Sequence, residues 1–290
     1  MEINMINRLK SELLNIGLKF MSIDEKIIRL FLETTSSNVN EIVILPTTKM
    51  VMKEVVGQLE TKRKHGQVYN GYINGVKVSV IRCYMGCPNM SIIMEALKRC
   101  KTKKVIRIDF CGGIVGLKNH IKGGDVIIPR KTYCGDGTSP NYIILNPELS
   151  KRLESVKNPL GNFINLVAGR SQIYITEPDE RLSNLLLIQG KKKYPSKIKE
   201  VDLWTTDALF CETAEFQNTM KSIEVEAVDM ESSILFLLGD LYNIQTASIL
   251  SISDLPGTEY DLFNSNKVHP EIENGIKRAI NILIETLPKM

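Results

Sequence analysis

Short runs of branched apolar residues, each stopped by proline or glycine and followed by an amphipathic stretch, constrain this 290-residue chain more than any other feature. Ile42-Val43-Ile44-Leu45 ahead of Pro46 has no polar position to turn toward water, so it suits a strand covered on both faces of a sheet. Lys104 to Phe110 repeats the pattern and runs into Gly112-Gly113. Further strands are expected over Asp125 to Pro129, Asn165 to Ala168, Glu200 to Trp204, Val225 to Val228 and Thr246 to Ser251. Helical spacing is expected for Met50 to Leu59, for Asn89 to Cys100 after Pro88, and near 179–189, 213–221, 231–242 and 268–287. Tyr72 to Val80 carries Asn74-Gly75 between alternating segments, a tight-hairpin signal. Strands alternating with helices imply an α/β fold of three layers, a central mixed sheet flanked by helices. Residues 1–40, with apolar positions Ile6, Leu9, Leu13, Leu14, Ile27, Ile28, Leu30 and Phe31, read as an N-terminal helical extension. Residues 41–290 read as one domain.

Composition excludes several classes. A net charge of +4 with scattered basic residues implies no nucleic-acid partner. The basic stretch Lys191 to Lys199, between Gly190 and a polar region, reads as a solvated loop. No run approaches the ~20 apolar residues of a membrane span, and no signal-peptide pattern opens the chain, so a cytoplasmic protein is expected. Cys83, Cys87, Cys100, Cys111, Cys134 and Cys211 are then expected as reduced thiols. With no C-x-x-C pair and the three histidines far apart, no metal is expected.

Four segments lie where a strand runs into a loop or helix, the place where open α/β sheets build their sites. Gly86-Cys87-Pro88-Asn89-Met90-Ser91 offers a flexible turn and a proline at a helix start. Taken alone, it is explained by a plain helix start. Arg107, in Ile106-Arg107-Ile108-Asp109-Phe110-Cys111-Gly112-Gly113, needs an anionic partner if its strand is buried. That partner is either a ligand or a structural carboxylate, Asp109 or one more distant. Leu203 to Thr213 holds Trp204-Thr205-Thr206-Asp207-Ala208, and by itself reads as a strand leading into a capped helix. Val225 to Ser233 places Asp229 and Glu231 against an apolar helix start, which is costly unless something ordered pairs with them; helix-dipole stabilisation is the competing explanation. Downstream, Ser251-Ile252-Ser253-Asp254 closes a strand, or is an ordinary turn before Pro256-Gly257.

Together these segments resemble the nucleoside phosphorylase family, purine nucleoside and uridine phosphorylases, from about Glu41 to the C-terminal helix. The resemblance implies an enzyme of nucleoside salvage, a pentosyltransferase that splits the base–ribose bond by reversible phosphorolysis to free base and ribose 1-phosphate. It implies Glu231 and Met230 as ribose ligands, and Cys111, Gly112, Leu209 and Phe210 around the base. Asp254 would assist the leaving base, and Arg107 would hold phosphate and act in catalysis. The loop Gly135-Asp136-Gly137-Thr138-Ser139 would shape the site. The partners implied are a small-molecule nucleoside and phosphate as co-substrate, with no further cofactor, in a homo-oligomer built from dimers, up to a hexamer.

The phosphate groups depart from the family pattern. Its glycine-aspartate-proline loop and following arginine are here Pro46-Thr47-Thr48-Lys49-Met50-Val51, which leaves Lys49 as the replacement cation. An arginine lent by a second subunit corresponds to Lys64, which keeps charge and loses bidentate geometry. The glycine and threonine after Arg107 are Asp109 and Phe110, and an arginine of the base segment is Cys211. Two other outcomes therefore stand beside phosphorolysis. One is a hydrolytic nucleosidase in which Asp109 activates water; the other is a binding homologue without catalysis. Base preference is open between purines, which Asp254 favours, and uridine, which the Trp204 segment favours.

Overall fold

The computed structural model describes residues 21–118, 120–161 and 170–290. The expected helix around Leu9 and Leu13 and the expected strand Asn165 to Ala168 lie outside the described residues. Strand β1 (Ile42–Pro46) is central and fully covered, running parallel to β4 (Val76–Ile81) on one side and β5 (Lys104–Gly113) on the other. β4 forms a hairpin with β3 (Val68–Ile73), closed by Asn74 and Gly75 at φ 48° and 76°. Both angles are positive, as the two-residue turn that matches strand twist requires.

β2 (Glu60–His65) adds the outer strand on that side. The sheet continues through β10 (Ala227–Asp229), β9 (Ile198–Thr205), β6 (Val126–Cys134), β8 (Gln172–Thr176) and β7 (Ser155–Lys157). β11 (Gln245–Asp254) pairs with both β5 and β6, so β5, β10, β9, β6 and β11 close into a ring. Cys111, Ile127, Leu203, Leu250 and Ile252 fill it. Mixed pairing and helices on both faces agree with the expected architecture.

Helices α3 (Cys87–Leu97) and α8 (Ser232–Tyr242) cover one face, over Val43, Leu45 and Val105. Helices α2 (Lys49–Gly57), α6 (Glu180–Lys193) and α9 (Ile272–Thr286) cover the other, over Ile44, Ile106 and Ile108. Each such aliphatic side chain contributes about 1.5–3 kcal/mol when buried. Alternation along β5 thus turns Val105, Arg107 and Asp109 toward α3 and α8, and Ile106 and Ile108 away. Ser22 caps α1 (Ile23–Leu32), whose Ile28 and Leu32 join the first of these clusters.

Two expectations are corrected. Lys191 to Lys193 are the last turn of α6, where cations complement the helix dipole, and Ile198 already begins β9, so Lys191 to Lys199 is not one loop. β6 does not stop at Pro129; a register shift against β9 between Pro129 and Lys131 lets the strand pass the proline. No helix among the described residues is long and apolar enough to cross a membrane.

Candidate active site

The short strand β10 ends at Asp229, and Met230-Glu231 carries the chain into α8. Asp229 takes over the end of that helix, accepting from the Ser232 N–H at 3.0 Å and the Thr205 hydroxyl at 2.6 Å. Glu231 does not cap the helix. Its Oε1 accepts from the Gly86 N–H at 2.8 Å, and its Oε2 is ion-paired with Arg107. Gly86 sits at φ 96°, the conformation that lets its amide face that carboxylate.

Arg107 is 2% exposed and is held from two sides, by Glu231 and by Asp229 at 2.8 Å. Its Nε has no hydrogen-bond partner among the described residues. Burial pushes the Glu231 carboxyl up to about 7, Arg107 pulls it down, and Asp229 and Asp109 raise it. The anionic partner that the sequence demanded is therefore a pair of carboxylates on the β10–α8 junction, and neither of them is Asp109.

Asp109 faces elsewhere. Its Oδ2 accepts from the backbone N–H groups of Thr47 (2.5 Å) and Thr48 (2.7 Å), where β1 turns into α2, and its Oδ1 accepts from the Phe110 N–H at 2.9 Å. Arg82, unremarked in the sequence, lies against the same loop; its Nε donates to the Thr47 carbonyl at 2.9 Å and its guanidinium covers the Tyr84 ring. Lys49 is exposed, and Lys64 lies on β2 over the Tyr69 ring, 5.1 Å from its centroid. Lys49 thus stands on the first turn of α2 and Lys64 on the outer strand, the position expected to serve a second subunit.

A second acidic group gathers at the far end of β5. A side chain starting at Gly112 would meet Asp254 Oδ2 at 3.7 Å and Glu212 Oε2 at 3.9 Å. The Ser253 hydroxyl bonds to Asp254 at 2.6 Å and to the Cys111 carbonyl at 3.2 Å, tying the end of β11 to β5. Burial raises Asp254, and pushes Glu212 up to about 8 with help from Asp254 and Asp261. Sequence reasoning passed over Glu212; its one signal was an acid three residues beyond Leu209 in the segment expected to wall the base. Met230, between Asp229 and Glu231 in the chain, is half-buried.

Other expected base contacts divide. Cys111 and Gly112 line this end of β5, while Phe210 is 83% exposed and packs against Phe263 at a 51° tilt, with ring centroids 4.8 Å apart. Phe210 is thus no wall of an enclosed pocket in this chain, because the turn Leu209–Cys211 carries it outward. Trp204 is core, between Tyr133 and Phe216. Asp136 anchors its loop, accepting from Ser233 Oγ at 2.7 Å and from the Ser139 N–H at 2.6 Å. Burial pushes the Cys83 thiol up to about 12 and Cys87 and Cys111 well above the ordinary range, so none is a ready nucleophile. Among the described residues no group of three His, Cys, Asp or Glu could hold a metal ion. A cleft of about 500 Å³ at Arg152, Asp179 and Asp240 shares no residue with this site.

A mixed α/β domain that gathers a buried guanidinium with acids at the middle of β5, and carboxyls raised by burial near its end, has the makings of an enzyme for a small polar substrate. The chain belongs to the phosphorylase superfamily, whose family model matches residues 41–288. It is 27% identical over 187 residues to a DeoD-type purine nucleoside phosphorylase of Brevibacillus brevis, covering 64% of this chain and 67% of that one. It is 23% identical over 235 residues to a 5'-methylthioadenosine/S-adenosylhomocysteine nucleosidase of Desulfotalea psychrophila, covering 80% and 88%. Among solved structures, uridine phosphorylase from Vibrio fischeri superposes with a TM-score of 0.66 at 21% identity, over 88% of this chain and 94% of that one. Purine nucleoside phosphorylase from Toxoplasma gondii gives 0.66 at 18% identity, over 89% and 94%.

Proposed function

We propose that this chain cleaves the N-glycosidic bond of a nucleoside with a purine-type base. The observation that carries the reading is the convergence of Asp254 and Glu212 on Gly112, five residues along β5 from Arg107 and its partner Glu231. Breaking the bond leaves negative charge on the base and positive oxocarbenium charge on the ribose, and the site has complementary groups for both. Glu212, pushed up to about 8, keeps a proton near neutral pH, and the Asp254–Glu212 pair delivers it to the departing base. The carboxylates around Arg107 face the sugar. Glu231 has two lone-pair positions left after Gly86 and Arg107, enough to accept from ribose hydroxyls. The names of the relatives divide between phosphorylase and nucleosidase, and splitting a nucleoside is what those names share.

The reading extends to a homo-oligomer in which Lys64, on the outer strand β2, serves the site of a neighbour; sedimentation velocity tests this. For the reaction, release of free base from inosine, adenosine and uridine is followed by chromatography. Inosine or adenosine is expected to react, and Asp254→Asn is expected to slow the release by ~10²-fold. Absence of base release from all three nucleosides by the unaltered protein would overturn the proposal.

A further inference from the structure

We infer that Asp109 is a built-in anion that fills the seat a phosphate would need, so that this chain cleaves its nucleoside with water. The water step rests on the nucleoside-cleaving reading above; the filled seat does not. Two successive backbone N–H groups at the start of α2, those of Thr47 and Thr48, point at one place, the arrangement that binds anions at helix N-termini. The Asp109 Oδ2 already occupies that place, on a side chain only 2% exposed. A free phosphate reaches these amides only by expelling a carboxylate tethered to the neighbouring strand β5.

Charge argues the same way. Arg107 is the one fully buried cation among the described residues, and it is taken by Asp229 and Glu231. Asp109 adds a third carboxylate close enough to raise Glu231. Three carboxylates against one guanidinium leave the cluster negative, which repels a phosphate dianion but steadies a cationic ribose. Asp109 therefore supplies the negative charge that a bound phosphate would bring. Three N–H donors hold its two oxygens in place, so its part in the step is that of a fixed charge. The Arg107 Nε, without a hydrogen-bond partner among the described residues, remains as a free donor in this cluster.

In the step this implies, the water oxygen bonds to C1′ as the electron pair of the C1′–N bond withdraws into the base. The Asp254–Glu212 pair gives the base its proton, and the proton shed by water restores that pair through solvent. The products are free base and free ribose.

Phosphate itself is the probe. For the unaltered protein, the rate of base release and the melting temperature are expected to stay flat from phosphate-free buffer to a large phosphate excess, with ribose as the sugar product. Asp109→Gly empties the seat, and its melting temperature is expected to climb with phosphate concentration. Ribose 1-phosphate made by the unaltered protein, or a phosphate-induced rise in its melting temperature equal to that of D109G, overturns the inference. Should D109G not fold, the sugar product of the unaltered protein decides alone. A failure to release base from any nucleoside sinks the cleavage reading, while the melting comparison still judges Asp109.

Discussion

Replacing Glu212 by glutamine isolates one proton. In the folded chain, burial beside Asp254 and Asp261 pushes this carboxyl from the ordinary 4.5 up to about 8. The folded state therefore binds a proton that the unfolded chain has released, so stability is lost as pH rises from 4.5 and levels off beyond about 8. At about 1.36 kcal/mol per pH unit the rise bounds the loss at roughly 5 kcal/mol. The side chain keeps some contact with water, which reduces the expected effect to about 2–3 kcal/mol. Glu212→Gln has the same shape and no charge to lose. Urea unfolding is expected to give equal stabilities for the two proteins at about pH 4.5, and an advantage of about 2–3 kcal/mol to E212Q above about pH 8. Base release is expected to fall ~10²-fold in E212Q, together with loss of the alkaline limb near pH 8 in the rate profile. Parallel stability curves for the two proteins across this range would refute the assignment of a proton to Glu212, and with it the proposed route to the leaving base.

Two further substitutions probe the middle and the end of β5. Arg107→Met strands Asp229 and Glu231 without a cation and is expected to cost about 3–5 kcal/mol in urea unfolding near neutral pH, less in acid, where Glu231 takes up a proton; a cost below ~1 kcal/mol would contradict the buried-pair description. Gly112→Ala sets a methyl group at ordinary contact distance, 3.7 Å and 3.9 Å, from Asp254 and Glu212, so melting is expected to be unchanged. Its kcat/KM is expected to drop at least ~10-fold as the methyl group takes the space of the base, and an unchanged value would remove the base from that end of the strand.

What could be read in advance was what is written locally. Asn74-Gly75 fixed a hairpin because both residues accept positive φ, and the run Ile42 to Leu45 fixed a central strand because it has no polar face. β2 escaped notice because its sequence, Glu60-Thr61-Lys62-Arg63-Lys64-His65, shows no apolar alternation; an outer strand pairs through its backbone and leaves its side chains in water. The need of Arg107 for an anion was legible, since burial of a guanidinium demands one, but its partners lie more than 120 residues away and only β10 pairing with β5 brings them near. Glu212 shows the same limit from the opposite side. Nothing in Cys211-Glu212-Thr213 marks an acid that will hold a proton, because burial in the fold and the charges of Asp254 and Asp261, more than 40 residues on, do so.

Asp109 makes the sharpest case, because the same residue supports opposite conclusions before and after its surroundings are known. As a letter after Arg107 it is a repulsive group beside a phosphate, or a base for water. In the fold, parallel pairing of β1 with β5 sets Pro46 opposite Ile108, so the β1–α2 turn brings its amides onto the next residue along. A glycine there would leave those amides to a ligand; an aspartate answers them from within, and does so without spending Arg107, which remains with Asp229 and Glu231. Register alone therefore turns one side chain from an obstacle in an anion site into its permanent occupant.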